Sequence, residues 1–150
     1  MAVVDANGHF NIPEGTITLQ KDCLTQWVID KSTVTRVAIP ESVTSIGGFA
    51  FNGCTSLAAV SIPTSVTSIG EYAFDGCSSL AAVSIPTSVT SIGVGAFRGC
   101  TLLVDVSIPT SVASIGVGAF RGCSSLAAVS MPTSVTSIEL DAFTQCIACT

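Results

Sequence analysis

The apolar residues of this chain keep neither a helical nor a strand rhythm. From Pro63 onward they fall at Val66, Ile69, Ala73, Phe74, Cys77, Leu80, Val83 and Ile85, with spacings of 3, 4, 1, 3, 3, 3 and 2. An amphipathic helix would return at three and four throughout, and a half-buried strand would alternate strictly. The set fits neither, yet it recurs. Prolines stand at Pro40, Pro63, Pro86, Pro109 and Pro132, each 23 residues after the last. Cys54, Cys77, Cys100, Cys123 and Cys146 keep the same step, as do Phe51, Phe74, Phe97, Phe120 and Phe143. Residues 63–85 and 109–131 are identical at 18 of 23 positions. A period of this kind predicts a coil that turns once per repeat, pointing the same side chains inward and burying them against its neighbours.

Within a unit, Leu80-x-x-Val83-x-Ile85 predicts one short parallel strand per turn. Pro86 ends it, having no N–H for the ladder. Val66–Ile69 adds a second short strand, and Ala73–Cys77 reads as a helical or 3₁₀ turn on the convex side. Gly70 and Gly76 are expected at corners, where positive φ is easiest without a Cβ. The expected architecture is therefore an α/β solenoid of about six turns, with a parallel strand per turn and short helical or 3₁₀ convex segments.

The full pattern, IPxSVTSIGxxAFxGCxSLxxVxI, resembles the BspA-like, or Treponema pallidum-type, leucine-rich repeats along nearly the whole chain. The resemblance implies a parallel-strand horseshoe solenoid. Members are commonly surface or secreted binding and adhesion proteins of bacteria and protists, with no catalytic motif to carry over. It also implies that partners bind the concave face, through the outward residues of each strand. By strand alignment these are Arg36, Ala38, Ala59, Ser61, Ala82, Ser84, Asp105, Ser107, Ala128 and Ser130.

The first repeat is degenerate. Pro13 precedes Pro40 by 27 residues, so four are inserted, around Asp30-Lys31-Ser32. The alignment brings Ile17 and Leu19 to the Val43/Ile46 region, Cys23-Leu24 to the Ala-Phe pair and Trp27 to the cysteine position. Four of the ten acids and two of the five bases lie in residues 1–31. Terminal repeats cap an otherwise exposed core, so residues 1–36 are expected to be a capping repeat and 37–150 the regular array of one domain. The last residues show no such treatment. An uncapped end predicts end-to-end self-association or a chain that continues.

Composition narrows the function. Only 10% of residues are charged, and the net charge of −5 with a pI near 4.4 is wrong for nucleic acid, which needs a basic stripe against phosphates. Mean hydropathy is high at +0.70, but apolar residues are interspersed with Ser, Thr and Gly. No run approaches the ~18 needed for a membrane-spanning helix. The start lacks the basic and apolar regions of a secretory signal. That leaves an intracellular protein, or a fragment whose targeting sequence lies elsewhere and whose family resemblance favours the cell surface.

The chemistry-bearing residues give no reaction. In an in-register stack, equivalent cysteines sit ~4.8 Å apart with parallel Cβ vectors. The five are thus expected to be reduced, buried and apolar in behaviour. Cys146 and Cys149 form one CxxC without the second pair or histidines that zinc requires. His9 is the only histidine and reads as a solvated loop residue. Glu71, Asp75, Asp105, Glu139 and Asp141 fall at convex or variable positions and form no repeat-equivalent pair. Arg98 and Arg121 stack, as do Asn52 and Asp75, so charge changes sign along the convex side. Thr64, Thr87, Thr110 and Thr133, with Ser65, Ser88, Ser111 and Ser134, form hydroxyl ladders that raise an ice- or surface-binding reading. The expectation is a non-catalytic protein-interaction or adhesion module without metal or cofactor. The alternative is a passive spacer within a larger repeat protein.

Overall fold

The computed structural model describes residues 3–12, 15–16, 18–19, 24 and 29–146. Ile17, Cys23, Trp27 and Cys149, invoked above, lie outside the described residues. Each 23-residue unit forms one turn of a solenoid, and three hydrogen-bonded ladders run along its length. The first ladder is made by β2 (His9–Asn11), β4 (Arg36–Ala38), β6 (Ala59–Ser61), β8 (Ala82–Ser84), β10 (Asp105–Ser107) and β12 (Ala128–Ser130). These strands are parallel and pair one period apart, Arg36 opposite Ala59 and Asp105 opposite Ala128. The central valine of each points inward, so a one-residue slip would turn the whole set toward water. The ladder is in two pieces: β6 and β8 are neighbours but share no strand pairing.

A second, unbroken parallel sheet stacks β3 (Thr18–Leu19), β5 (Ser45–Ile46), β7 (Ser68–Ile69), β9 (Ser91–Ile92), β11 (Ser114–Ile115) and β13 (Ser137–Ile138). Here the short strand expected within Val66–Ile69 is present. The molecule thus has five regular turns, from β4, β6, β8, β10 and β12, preceded by the longer turn that starts at β2.

The convex side departs from expectation. Ala73–Cys77 forms no helix, and among the described residues the one 3₁₀ segment is Lys31–Thr33, capped by the Asp30 carboxylate accepting from Ser32 N at 2.9 Å. The cause is local. Tyr72 (φ 51°) and Gly76 (φ 72°) are left-handed four residues apart, which interrupts a right-handed helix before its first turn closes. The amides alternate instead. Those of Tyr72, Phe74 and Gly76 donate to Val94, Ala96 and Arg98 carbonyls of the next turn, each at 2.8 Å, while Asp75 and Cys77 donate three residues back. This alternation makes the third ladder.

Between the ladders the interior is a set of columns. Val89, Ala96, Phe97, Cys100 and Leu103 of one turn are fully buried, as are their equivalents on either side. The phenylalanines stack from Phe51 to Phe143 at centroid separations of 5.2–5.3 Å. Gly76 has the expected positive φ, but Gly70 does not; it is required by proximity. A Cβ on Gly70 would lie 2.6 Å from the Gly48 amide nitrogen, and the same holds for Gly93 and Gly116 against their preceding turns.

The amino-terminal segment adds an element that the repeat pattern did not suggest. β1 (Val3–Val4) pairs antiparallel with β2 and covers that strand's outer edge. The turn between them is held by Asp5, whose carboxylate accepts from Asn7 and His9 amides. His9 is therefore a strand residue beside Arg36, its Nδ1 lying 3.5 Å from the Asp5 carboxylate, not a loop residue. The four inserted residues are absorbed between Leu19 and Val34, since the register offset is 27 at Thr18 and Ser45 and 23 at Arg36 and Ala59.

Candidate functional site

The strands β2, β4, β6, β8, β10 and β12 present two outward columns. One runs His9, Arg36, Ala59, Ala82, Asp105, Ala128; the other runs Asn11, Ala38, Ser61, Ser84, Ser107, Ser130. Alternation along each three-residue strand puts the first and third side chains on the same face. All ten residues expected to form the concave surface are gathered there, at a lateral pitch of ~4.8 Å. Ala59 is half-buried, and the other nine are exposed or nearly so.

Most of this surface is short-chained, but one turn breaks the pattern. Positions 79 and 125 are serine, whereas 102 is leucine; 81 and 127 are alanine, whereas 104 is valine. Leu102 and Val104 are 52% and 53% exposed, and Asp105 follows directly. The Val104 amide donates to Ala81 O at 3.1 Å and its carbonyl accepts from Ala127 at 3.1 Å, so both neighbouring turns fix this lip of the face. Of this cluster, only Asp105 follows from the strand alignment. Comparing each repeat with its neighbours, position by position, was the signal that would have found the other two.

The cysteine column lies on the opposite side of the core. Four of the thiols donate to the phenylalanine carbonyl 26 residues earlier: Cys77 to Phe51 and Cys100 to Phe74 at 3.3 Å, Cys123 to Phe97 at 3.1 Å, Cys146 to Phe120 at 3.2 Å. They thus tie adjacent turns as well as filling space. Burial, aided by the neighbouring thiols, pushes Cys77 and Cys100 far up and Cys123 up to about 12. Such thiols are neither nucleophiles nor ready metal ligands. Among the described residues no group of three His, Cys, Asp or Glu could hold a metal ion.

The serine ladder is also structural. Ser65, Ser88, Ser111 and Ser134 donate to the carbonyls of Val43, Val66, Val89 and Val112. A hydroxyl whose single proton is engaged inside the protein has only lone pairs to offer a lattice of water. On the convex side, Asn52 donates to the Asp75 carboxylate at 3.1 Å, and Arg121 lies 4.0 Å from Asp141. Burial raises the Asp75 pKa against the opposing pull of Arg98 and Asn52.

The model of the BspA type leucine rich repeat region matches residues 26–150 in six copies. The chain belongs to the BspA-type leucine-rich repeat family. A leucine-rich repeat protein of Bacteroides ovatus is similar at 30% identity and a TM-score of 0.69, over 88% of this chain and 37% of that one. The T. pallidum leucine-rich repeat protein is 33% identical with a TM-score of 0.70, over 82% of this chain and 62% of its own. A leucine-rich cell surface protein of Faecalibacterium prausnitzii is 28% identical with a TM-score of 0.66, over 98% and 50%. Among curated proteins no match is found. This BspA-type chain thus spans less than two thirds of each of these structures. No described helix is long and apolar enough to cross a membrane.

Proposed function

We propose that this chain is a non-catalytic binding module that engages a protein partner through the concave face, centred on Leu102, Val104 and Asp105. The observation that supports it is the contrast within one surface: two large apolar side chains stand exposed among alanines and serines, with a carboxylate beside them. The interior position between them, Leu103, is the usual buried leucine, so nothing in the packing of the turn calls for Leu102 or Val104. The surrounding Arg36, Ala59, Ser61, Ala82, Ser84, Ser107, Ala128 and Ser130 allow a flat partner to approach the backbone closely. The chemistry of the lip fits an apolar side chain followed by a lysine or arginine, the acid setting orientation more than affinity.

The Faecalibacterium relative is a cell surface protein, and we extend that location to this chain. Burial of five of the seven thiols protects them in an oxidising exterior. A second reading, a passive spacer, is favoured by the small side chains of the flanking turns. Photo-crosslinking separates the two. A photoreactive residue at position 104 should give one adduct in cells of the source organism, and the same residue at position 81 should give none. Equal labelling, or none at either, supports the spacer.

A further inference from the structure

We propose that the convex side carries a second site, independent of the concave face, for a peptide presenting an aromatic side chain beside a carboxylate. One column on this side reads Phe49, Tyr72, Gly95, Gly118, Asp141, and every member is left-handed, with φ between 51° and 60°. Glycine adopts that conformation freely, whereas an aromatic residue there is strained by ~1–2 kcal/mol. The chain nonetheless keeps two aromatics. Their rings stack at 5.1 Å between centroids with 28° between planes, and both are only half-buried.

The aromatic stack stops at Tyr72, and the two glycines that continue the column are buried under side chains. The Tyr72 ring leans over the following turn, where its Cε1 and Cδ1 fill the space that a Cβ on Gly95 would need. A ring at position 95 would lean likewise over Gly118, but glycine supplies none. Above Gly118 only the Arg121 stem approaches, its Cβ and Cδ at 3.6 and 3.9 Å from the Cβ site. Gly118 is buried beneath that stem, so an incoming ring displaces it and continues the column at its own pitch, one face on Tyr72 and its edge against the Arg121 guanidinium. Offset stacking and a guanidinium beside a ring are both favourable arrangements. Val94 and Val117, exposed on the other flank, add apolar contact.

Charge completes the assignment. Arg98 and Arg121 occupy equivalent positions in adjacent turns and are both exposed. Arg121 is held by Asp141 only at 4.0 Å, so it is free to turn toward a carboxylate. Asp75 and Asp141 bracket the arginine pair at either end, which limits the anion to one that fits between them. A glutamate or aspartate next to a phenylalanine or tyrosine meets all these conditions.

The test uses a blocked tripeptide with phenylalanine between two glutamates, titrated into the whole protein and followed by amide and aromatic NMR shifts. Perturbations should concentrate at Tyr72, Gly95, Gly118 and Arg121. Binding should weaken by about tenfold in Arg121→Gln and in Tyr72→Gly, a loss that stacking plus one charged contact supplies. Tyr72→Gly installs the residue already found at positions 95 and 118, so the fold tolerates it. A tripeptide with leucine in place of phenylalanine should bind as weakly as Tyr72→Gly does. A sulfated monosaccharide, charged but without a planar ring, should not compete. Absence of shifts at these residues, unchanged binding by Tyr72→Gly, equal binding of the leucine peptide, or displacement by the sugar each overturns the proposal.

Discussion

The turn from Pro86 to Ile108 and the turn from Pro109 to Met131 have one interior and two exteriors. Inside, Val89, Ile92, Ala96, Phe97, Cys100, Leu103 and Val106 match Val112, Ile115, Ala119, Phe120, Cys123, Leu126 and Val129, in the same register. Outside, the first carries Leu102, Val104 and Asp105 where the second carries Ser125, Ala127 and Ala128. The inner set is under a constraint that the outer set escapes. Each turn packs on the turns above and below, as the phenylalanine rings do from Phe51 to Phe143, so a change in one turn disturbs two neighbours. Outward side chains meet water, and variation there is available for recognition.

The contrast can be broken most severely at the phenylalanine column. Phe97 is fully buried between Phe74 and Phe120, and Phe97→Ala should destabilise by ~3–5 kcal/mol in urea unfolding. A loss below ~1 kcal/mol would mean that the column does not act as a packed core. Glycine positions sharpen the point at intermediate cost. A Cβ on Gly93 would lie 2.7 Å from the Gly70 carbonyl carbon, whereas nothing lies within 4 Å of one on Gly53. Gly93→Ala should cost ~2–3 kcal/mol by overpacking against backbone, and Gly53→Ala only ~1–2 kcal/mol for its positive φ. The reverse order would contradict the stacking geometry.

The cysteine column gives a pH dependence. In the folded chain Cys77, Cys100 and Cys123 hold their protons above the ordinary value of 9.0, chiefly through burial. Below about pH 9 the thiols of both states are protonated and the stabilisation is complete. Above it the unfolded chain releases protons first, so it binds fewer than the native state and stability falls as pH rises. The urea midpoint should decline from about pH 9 to pH 11, and the decline should be shallower in Cys100→Ala. A midpoint level through that range would show the thiols to be accessible. The smallest effect is expected outside. Leu102→Ser combined with Val104→Ala should change stability by no more than ~0.5 kcal/mol, and a larger loss would place these side chains in the core.

How far the sequence revealed this molecule follows from the same division. The period, the strand at Val83 and the inward columns were legible, because identical spacing in five units leaves one way to stack. The non-helical path of the convex segment was not. The apolar pair Ala73-Phe74 looks helical, and nothing in residue type announces that Tyr72 is left-handed; its equivalence with Gly95 and Gly118 was the available hint. The need for glycine at position 70 was not legible either, since close approach to Gly48 exists only once turns are stacked. The β1–β2 hairpin lay hidden because Val3–Val4 is too short to signal a strand. Arg36 and Asp105 stood out on the surface by charge, whereas Leu102 and Val104 did not, because apolar residues were expected everywhere.

The central claim is that recognition resides where one turn departs from its neighbours. It is tested most directly by the affinity of the partner captured from position 104, measured by calorimetry against the parent and against Leu102→Ser, Val104→Ala and Asp105→Ala combined. The account predicts a loss of tenfold or more, about 1.4 kcal/mol, at unchanged fold and stability. Equal affinity for both proteins would contradict it.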